Sequence, residues 1–336
     1  MSHLCSICGN EKAQLKRHET KQLVCKKCFS YAFEEEVYQT IQRFHLLVPG
    51  DVIAIGASGG KDSTVLIHVL HTLNQRHNMG IDIRLVTIDE GIHGYRDKAL
   101  QTVRDNAESY GLPLIILPFT ELFGWTLDQI FSATQTKETC TYCGIFRRRA
   151  LDIGASRVNA TKVAVGHNAD DISETVLLNI MRGDSARFSR SVDIITDGIE
   201  TQMSESRVAP RIKPFALQNQ VEIVWYAHFN SLKYYAVECP YAVQAFRRFP
   251  REYLVKKQKN DPGVMRRIIE GTIRYQEKIG INDPSNETDS AISLCTKCGA
   301  PCNHDICMAC RLLQKLADGH AQKTIVDDPN PEEKDN

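Results

Sequence analysis

Apolar residues fall along this chain in short runs divided by glycine, proline and charged stretches. Residues 52–57, Val-Ile-Ala-Ile-Gly-Ala, are apolar without alternation, which predicts a strand buried on both faces. A Gly-rich turn follows, and Thr64–Leu70 then carries a helical pattern. Asp82–Asp89 predicts a second strand, Pro113–Pro118 a third and Lys162–Gly166 a fourth. Tyr95–Tyr110 has helical periodicity ended by Gly111, and another helix is expected from Ile172. Strands alternating with helices predict an α/β fold with a doubly wound parallel sheet. Such sheets bind ligands beyond the carboxyl ends of their strands. Residues 58–63, Ile88 to His93 and Gly166 to Asp171 should therefore surround one crevice. No apolar run approaches the roughly 20 residues of a bilayer-spanning helix. The start, Met1-Ser2-His3-Leu4-Cys5-Ser6, lacks the basic and apolar regions of a secretory leader, so a cytoplasmic protein with no membrane partner is expected.

Composition adds little. A chain of 336 residues, 42% hydrophobic and 24% charged, is ordinary for a folded globular protein and excludes wholesale disorder. Charge adds more. Lys+Arg 41 balance Asp+Glu 41, yet the charges are unevenly spread. Residues 321–336 hold five acidic and two basic residues, whereas Val243 to Lys278 hold ten basic against four acidic. The basic stretch reads either as a solvated charged helix or as a surface that tracks phosphates.

The 12 cysteines of a cytoplasmic chain should be metal ligands, reactive thiols or core fillers rather than disulfides. Cys5, Cys8, Cys25 and Cys28 form two CxxC pairs near one end, and Cys295, Cys298, Cys307 and Cys310 form two near the other. A CxxC turn sets two thiolates on one side of a metal and a second pair completes a tetrahedron. Each set thus predicts a structural zinc ribbon. Gly9 and Gly299 follow the second cysteine of a pair, where the turn needs a positive φ. Cys302 is a spare inside the last loop. Cys140, Cys143 and the distant Cys239 differ. Three thiolates leave one position open on a metal or one corner of a 4Fe-4S cluster. The other reading is a redox pair with a buried Cys239.

The Gly-rich turn is Ser58-Gly59-Gly60-Lys61-Asp62-Ser63. Backbone N–H groups of such a turn, backed by a helix N-terminus, hold phosphate. A Walker A loop would need Gly at 55 and Ser/Thr at 62, where this chain has Ile55 and Asp62. The string resembles the PP-loop of ATP pyrophosphatases, which cleave ATP between its α and β phosphates. The expected nucleotide site is Ala57, Ser58, Gly59, Gly60, Lys61, Asp62 and Ser63 with Ile88, His93, Gly166, Asp170 and Asp171. Asp62 would help hold Mg2+, leaving the α phosphate open to a nucleophile. Asp170 and Asp171 read equally as helix-capping or magnesium-binding residues.

With these pieces in place, residues 1 to about 315 resemble the tRNA 2-thiolation enzymes of the TtuA/NcsA type. The resemblance is carried by the terminal CxxC pairs, the Ser58–Ser63 loop, Asp89-Glu90-Gly91-Ile92 and Cys140-Thr141-Tyr142-Cys143-Gly144 with Arg147-Arg148. Gly166-His167-Asn168-Ala169-Asp170-Asp171, Arg182-Gly183-Asp184 and Glu238-Cys239 complete it. Those enzymes adenylate the C2 oxygen of a tRNA uridine and replace it with sulfur. The resemblance implies that Cys140, Cys143 and Cys239 ligate a 4Fe-4S cluster, with Asp62, Arg147 and Asp171 as further catalytic residues. It implies ATP, Mg2+, the cluster and two Zn2+ as cofactors. The implied partners are tRNA, a sulfur donor (a ubiquitin-like thiocarboxylate protein or sulfide) and a second copy or related subunit. Arg147 replaces a lysine of some relatives, and Pro240-Tyr241-Ala242 departs from the commoner continuation.

The expected organisation is an N-terminal zinc ribbon at 1–32, a helical linker at 33–49 and a PP-loop ATP pyrophosphatase domain at 50–240. A basic helical tRNA-binding segment at 241–288, a C-terminal zinc ribbon at 289–315 and an acidic disordered tail at 316–336 follow. Arg148, Arg149, Arg247, Arg248, Arg251, Lys256 and Lys257 are the expected RNA contacts, with Phe246, Phe249 and Tyr253 either stacking a base or packing a helix. The two-ribbon layout and Phe33-Glu34-Glu35-Glu36 favour the wobble uridine over a T-loop uridine. A cluster-free persulfide route, a different PP-loop activation (amidation or lysine transfer) and a degenerate RNA-binding scaffold are the competing readings.

Overall fold

The computed structural model describes residues 3–134, 139–199, 207–241, 247–279 and 293–326. Between the first two CxxC pairs, β1 (Leu15–Lys16) and β2 (Leu23–Val24) form an antiparallel ribbon. Helix α1 (Lys26–Arg43) starts directly after Cys25. Its Phe29, Phe33, Val37 and Ile41 recur every four residues and are buried, so one stripe faces the core. Phe33 stacks on Tyr226 at 4.7 Å, and Phe29 meets Phe229 edge-on at 5.7 Å. The boundary expected at 32/33 therefore falls inside α1, because the helix that starts in the ribbon also carries the core stripe.

Five parallel strands form the central sheet: β3 (Val52–Gly56), β4 (Asp82–Asp89), β5 (Leu114–Pro118), β6 (Lys162–Ala164) and β7 (Arg211–Ile212). Their order is β5-β4-β3-β6-β7, so the chain leaves β3 for opposite sides at β4 and β6. Loops after adjacent strands on either side of such a switch point diverge and leave a crevice. The strands beyond β3 follow the expected positions within a residue or two, while β7 is too short to show periodicity. Helix α2 (Lys61–His77) follows β3, and α3 (Arg96–Tyr110) follows β4, ending at Gly111 with φ +62°.

On one side of the sheet, α4 (Phe119–Phe123), α5 (Leu127–Thr134) and α6 (Thr139–Arg157) bury Phe119, Ile130, Tyr142 and Phe146. A Cβ on Gly154 would overlap Val86 Cγ1, so α6 lies directly on β4. Opposite, α7 (Ala169–Arg182), α8 (Ser185–Ser189) and α9 (Gln220–Phe229) share a core with α1 and α2. The basic stretch forms α10 (Arg248–Asn260) and α11 (Val264–Lys278), both packed on α7. Last come β8 (Ser293–Leu294), β9 (Pro301–Cys302) and α12 (Met308–Val326), which docks on α5 and α6. Residues 316–326, expected as disordered tail, continue α12 instead: Leu316 is buried where that helix packs. Among the described residues no helix is long and apolar enough to cross a membrane.

Candidate active site

The loops after β4, β3 and β6 meet at the carboxyl edge of the sheet. Gly59 has φ +82°, and a Cβ there would stand 2.5 Å from Ala99 O, so glycine alone fits this turn. Ser58 N donates to Ser63 Oγ at 3.2 Å, the two hydroxyls lie 3.0 Å apart, and Gly60 N points at Ser58 Oγ at 3.3 Å. The loop thus closes on itself at the start of α2, where amides and the helix dipole favour an anion. A Cβ on Gly166 would meet Asp62 and Ser63 atoms at 3.1–3.2 Å, so this close approach forms a cradle of bare backbone. Such a surface fits the phosphates of ATP. Ala57 and Ile88 are buried at the ends of β3 and β4, and His93 is exposed with its amide bound to Asp128 at 2.9 Å.

Asp62 does not stand free. Lys61 Nζ binds both its oxygens, at 3.0 and 2.8 Å, and Asn168 Nδ2 donates to Oδ1 at 3.2 Å. Asn168 caps α7, which begins at Ala169 rather than Ile172: its oxygen accepts from the amides of Asp170 and Asp171. The carboxylate of Asp171 returns a bond from Asn168 N at 3.3 Å, completing a capping box. Asp170 is buried and accepts from Gln220 N at 2.8 Å. Burial, and then the charges of Asp171 and Glu174, push its carboxyl up to about 6. The two acids thus take capping and packing roles.

The thiols sit beside this crevice. Cys140 and Cys143 open α6, with Cys140 exposed and Cys143 and Cys239 partly buried. Cys140 Sγ donates to Tyr241 O at 3.4 Å, and the phenol of Tyr241 is tied to Asp128 at 2.6 Å, which folds the Cys239 segment over α5. Burial pushes the Cys143 thiol up to about 12, opposed by the Arg147 charge, and also raises Cys239. Among the described residues these three are not drawn within 4.8 Å of one another, as each terminal set of four is. A multi-iron cluster needs wider spacing than a single ion. Cys143 feels the charges of both Cys239 and Cys140, so the three thiols of α6 and the 239 loop lie near one another, and a set of three thiolates is the donor chemistry of such a cluster.

Two residues absent from the expected site connect its halves. Arg96 donates to Ser58 O at 2.9 Å and Thr87 Oγ1 at 2.6 Å, bracing the phosphate loop from α3. Its Nε lies 3.0 Å from Glu90, whose other oxygen is 3.9 Å from Arg147. A buried Arg96–Glu90 pair thereby runs from the phosphate loop to the guanidinium beside Cys143. A cation in the first turn of a helix opposes the dipole, and this was the available signal at Arg96.

Both ribbons bring four sulfurs together: Cys5, Cys8, Cys25 and Cys28, and Cys295, Cys298, Cys307 and Cys310, within 4.8 Å of one another in each set. Gly9 and Gly299 both have φ +68°. Burial acts to raise Cys5 and Cys295, but backbone N–H donors outweigh it and bring each to about 6, whereas burial raises Cys25, Cys28, Cys307 and Cys310. Cys302 stays outside its set and bonds His304 O at 2.8 Å.

The expected RNA contacts divide. Arg251 Nε binds buried Glu174 at 2.8 Å, and Arg247 lies 3.9 Å from the same carboxylate and 3.0 Å from Thr175, so these two hold α10 on α7. Arg248 pairs with Glu252 at 2.6 Å. Arg149 has a buried Nη1 without a hydrogen-bond partner. Arg148, Lys256 and Lys257 are exposed, with Lys257 5.9 Å over the ring of exposed Tyr253. Phe249 is also exposed, and Phe246 lies outside the described residues.

Comparison with known proteins agrees with this geometry. The PP-loop domain family matches residues 31–258, and a zinc-ribbon family matches residues 293–324. Cytoplasmic tRNA 2-thiolation protein 1 of Laccaria bicolor is 44% identical over 96% of this chain and 88% of its own length. Its Saccharomyces cerevisiae counterpart is 43% identical over 98% of this chain and 90% of its own. The solved U34-tRNA thiolase NcsA of Methanococcus maripaludis, which carries a 4Fe-4S cluster, superposes with a TM-score of 0.77 at 26% identity, covering 94% of this chain and 97% of that one. By these matches the chain belongs to the PP-loop domain family and, within it, to the cytoplasmic tRNA 2-thiolation protein 1 family.

Proposed function

We propose that this chain is an ATP-dependent tRNA sulfurtransferase of the cytoplasm that converts the wobble uridine to 2-thiouridine. The observation that carries the reading is the Arg96–Glu90–Arg147 chain, which joins a phosphate loop to a thiol site in one crevice. ATP chemistry without a sulfur site would need no Cys140, Cys143 and Cys239 there. The family names support tRNA and the compartment, and the NcsA likeness favours position 34.

The loop amides, Ser58 and Ser63 hold the β and γ phosphates, and Asp62 is the carboxylate placed for Mg2+ once Lys61 turns to the nucleotide. The uridine C2 oxygen attacks the α phosphorus, the α–β bridging bond breaks and pyrophosphate leaves. Arg147 faces the charge that builds on the α phosphate. A hydrosulfide-level donor then adds at C2, and AMP departs with the former oxygen, so no net redox change is needed. Cys140, Cys143 and Cys239 would hold a 4Fe-4S cluster, which supplies an open iron for sulfur. Zinc in each ribbon is structural. Exposed Arg148, Lys256 and Lys257 contribute phosphate contacts.

The test is mass spectrometry of tRNA from cells lacking the gene. Loss of 2-thiouridine at position 34, restored by wild type and not by Cys239→Ala, is expected. Loss confined to the T-loop would move the target, and unchanged thiolation at both sites would overturn the reading.

A further inference from the structure

Two tyrosines that neither the phosphate loop nor the thiols use lie beside both. Tyr235 N donates to Gly59 O at 2.9 Å, which pins this residue to the rim of the loop. Tyr95 precedes Arg96, the residue that braces Ser58. Burial raises its phenol, and Cys239 and Glu90 are both close enough to act on it. The two rings meet edge to face, with centroids 5.7 Å apart at 61°. An edge-to-face pair covers the face of only one ring, and both residues remain partly open to solvent. Tyr95 packs against the buried cluster on this side of the sheet, which backs its ring. Residues 236–238 are exposed and lead straight from Tyr235 to Cys239. Four residue steps span at most ~14 Å, so loop, ring pair and thiol lie along one short track.

A uridine inside an RNA loop must leave its stack to present C2 to both chemistries, and it then needs a flat apolar surface to replace the lost stacking. We propose that Tyr95 and Tyr235 form the stacking site for the extruded target pyrimidine, holding its C2 edge between the Ser58–Ser63 loop and Cys239. This assignment rests on the thiolation reading above.

The test uses full-length holoprotein, reconstituted anaerobically, with a tRNA substrate. Tyr95→Leu and Tyr235→Leu should each lower kcat/KM for tRNA in pyrophosphate release by about 5- to 150-fold, the loss of one stacked base. Tyr→Phe at either position should retain most of the rate, and affinity for a non-hydrolysable ATP analogue should not move. A fluorescent pyrimidine at the target position should change emission on binding wild type and lose that change with the leucine variants. Should a leucine variant fail to fold, Met at that position keeps apolar bulk without a π-face. Unchanged kcat/KM for tRNA in both variants would overturn the stacking site. A drop in ATP-analogue affinity that matches the rate loss would overturn it too, since the rings would then stack adenine. Wild type that releases no pyrophosphate with any tRNA would instead sink the thiolation reading, and the stacking site with it.

Discussion

Asn168 and Asp62 lock the phosphate loop to the start of α7: the Asn168 amide donates to Asp62 Oδ1 at 3.2 Å while its oxygen caps the helix. One side chain therefore sets both the helix and the carboxylate proposed above to hold magnesium. Asn168→Ala should cost about 0.5–2 kcal/mol through the lost cap. Asn168→Asp keeps a good cap but sets a second carboxylate against Asp62. Because Asn168 is buried, the variant's denaturation midpoint should fall at least as far as that of Asn168→Ala, and tRNA-dependent pyrophosphate release should fall by about tenfold or more, ~1.4 kcal/mol. Wild-type stability together with wild-type pyrophosphate release in Asn168→Asp would refute this link between Asn168 and Asp62.

Gly59 and Gly60 make a matched pair for the loop. Gly59→Ala forces a side chain into φ +82° and onto Ala99 O, whereas Gly60 has only Ser58 Oγ at 3.4 Å. The first substitution should cost about 1–3 kcal/mol in backbone strain and abolish ATP binding in calorimetry. Gly60→Ala should be the milder change in both measurements.

Metal analysis should find two zinc ions per chain, matching the two sets of four sulfurs. Cys25→Ser and Cys307→Ser should each remove one. Melting should fall further for Cys25→Ser, because α1 starts directly after that residue and carries Phe29 and Phe33 into the main core. A chain that keeps both ions after either change would contradict the assignment.

Asp170 predicts a pH dependence. In the unfolded chain its carboxyl ionises near the ordinary 3.8, but the folded protein holds it up to about 6. The stability it contributes is fully present below the unfolded value and is lost as pH rises through about 6. Asp170→Asn removes the buried charge and keeps an oxygen for Gln220 N. Thermal melts of protein without nucleotide should show the variant more stable at pH 7.5, on the order of 1–3 kcal/mol, with the gain vanishing toward pH 4. A gain independent of pH would mean that ionisation is not the cause.

The basic helix should separate into binding and structural cations. Lys256→Ala with Lys257→Ala should weaken tRNA binding and lower the salt slope by about 2, with little change in melting. Arg251→Ala should instead leave buried Glu174 short of its closest partner and cost on the order of 1–3 kcal/mol. Filter binding at several salt concentrations, beside melting curves, tells the two apart.

What the sequence alone determined is local. The strand–turn–helix around Ser58–Ser63 was legible because a glycine turn before a helix depends on neighbours a few residues away. The CxxC pairs were legible for the same reason, since Gly9 and Gly299 sit where the turn needs them. The order β5-β4-β3-β6-β7, and with it everything that meets across β3, was left to the tertiary structure. Glu90 is one of the resembling residues, yet its link from Arg96 to Arg147 spans three helices and strands with no shared periodicity. Likewise Arg247 and Arg251 look like free cations along the chain, and only the packing of α10 on α7 sets them against Glu174. Spacing reports which chemical groups a chain owns, but burial and facing decide which are already paired, because those depend on residues far away in sequence.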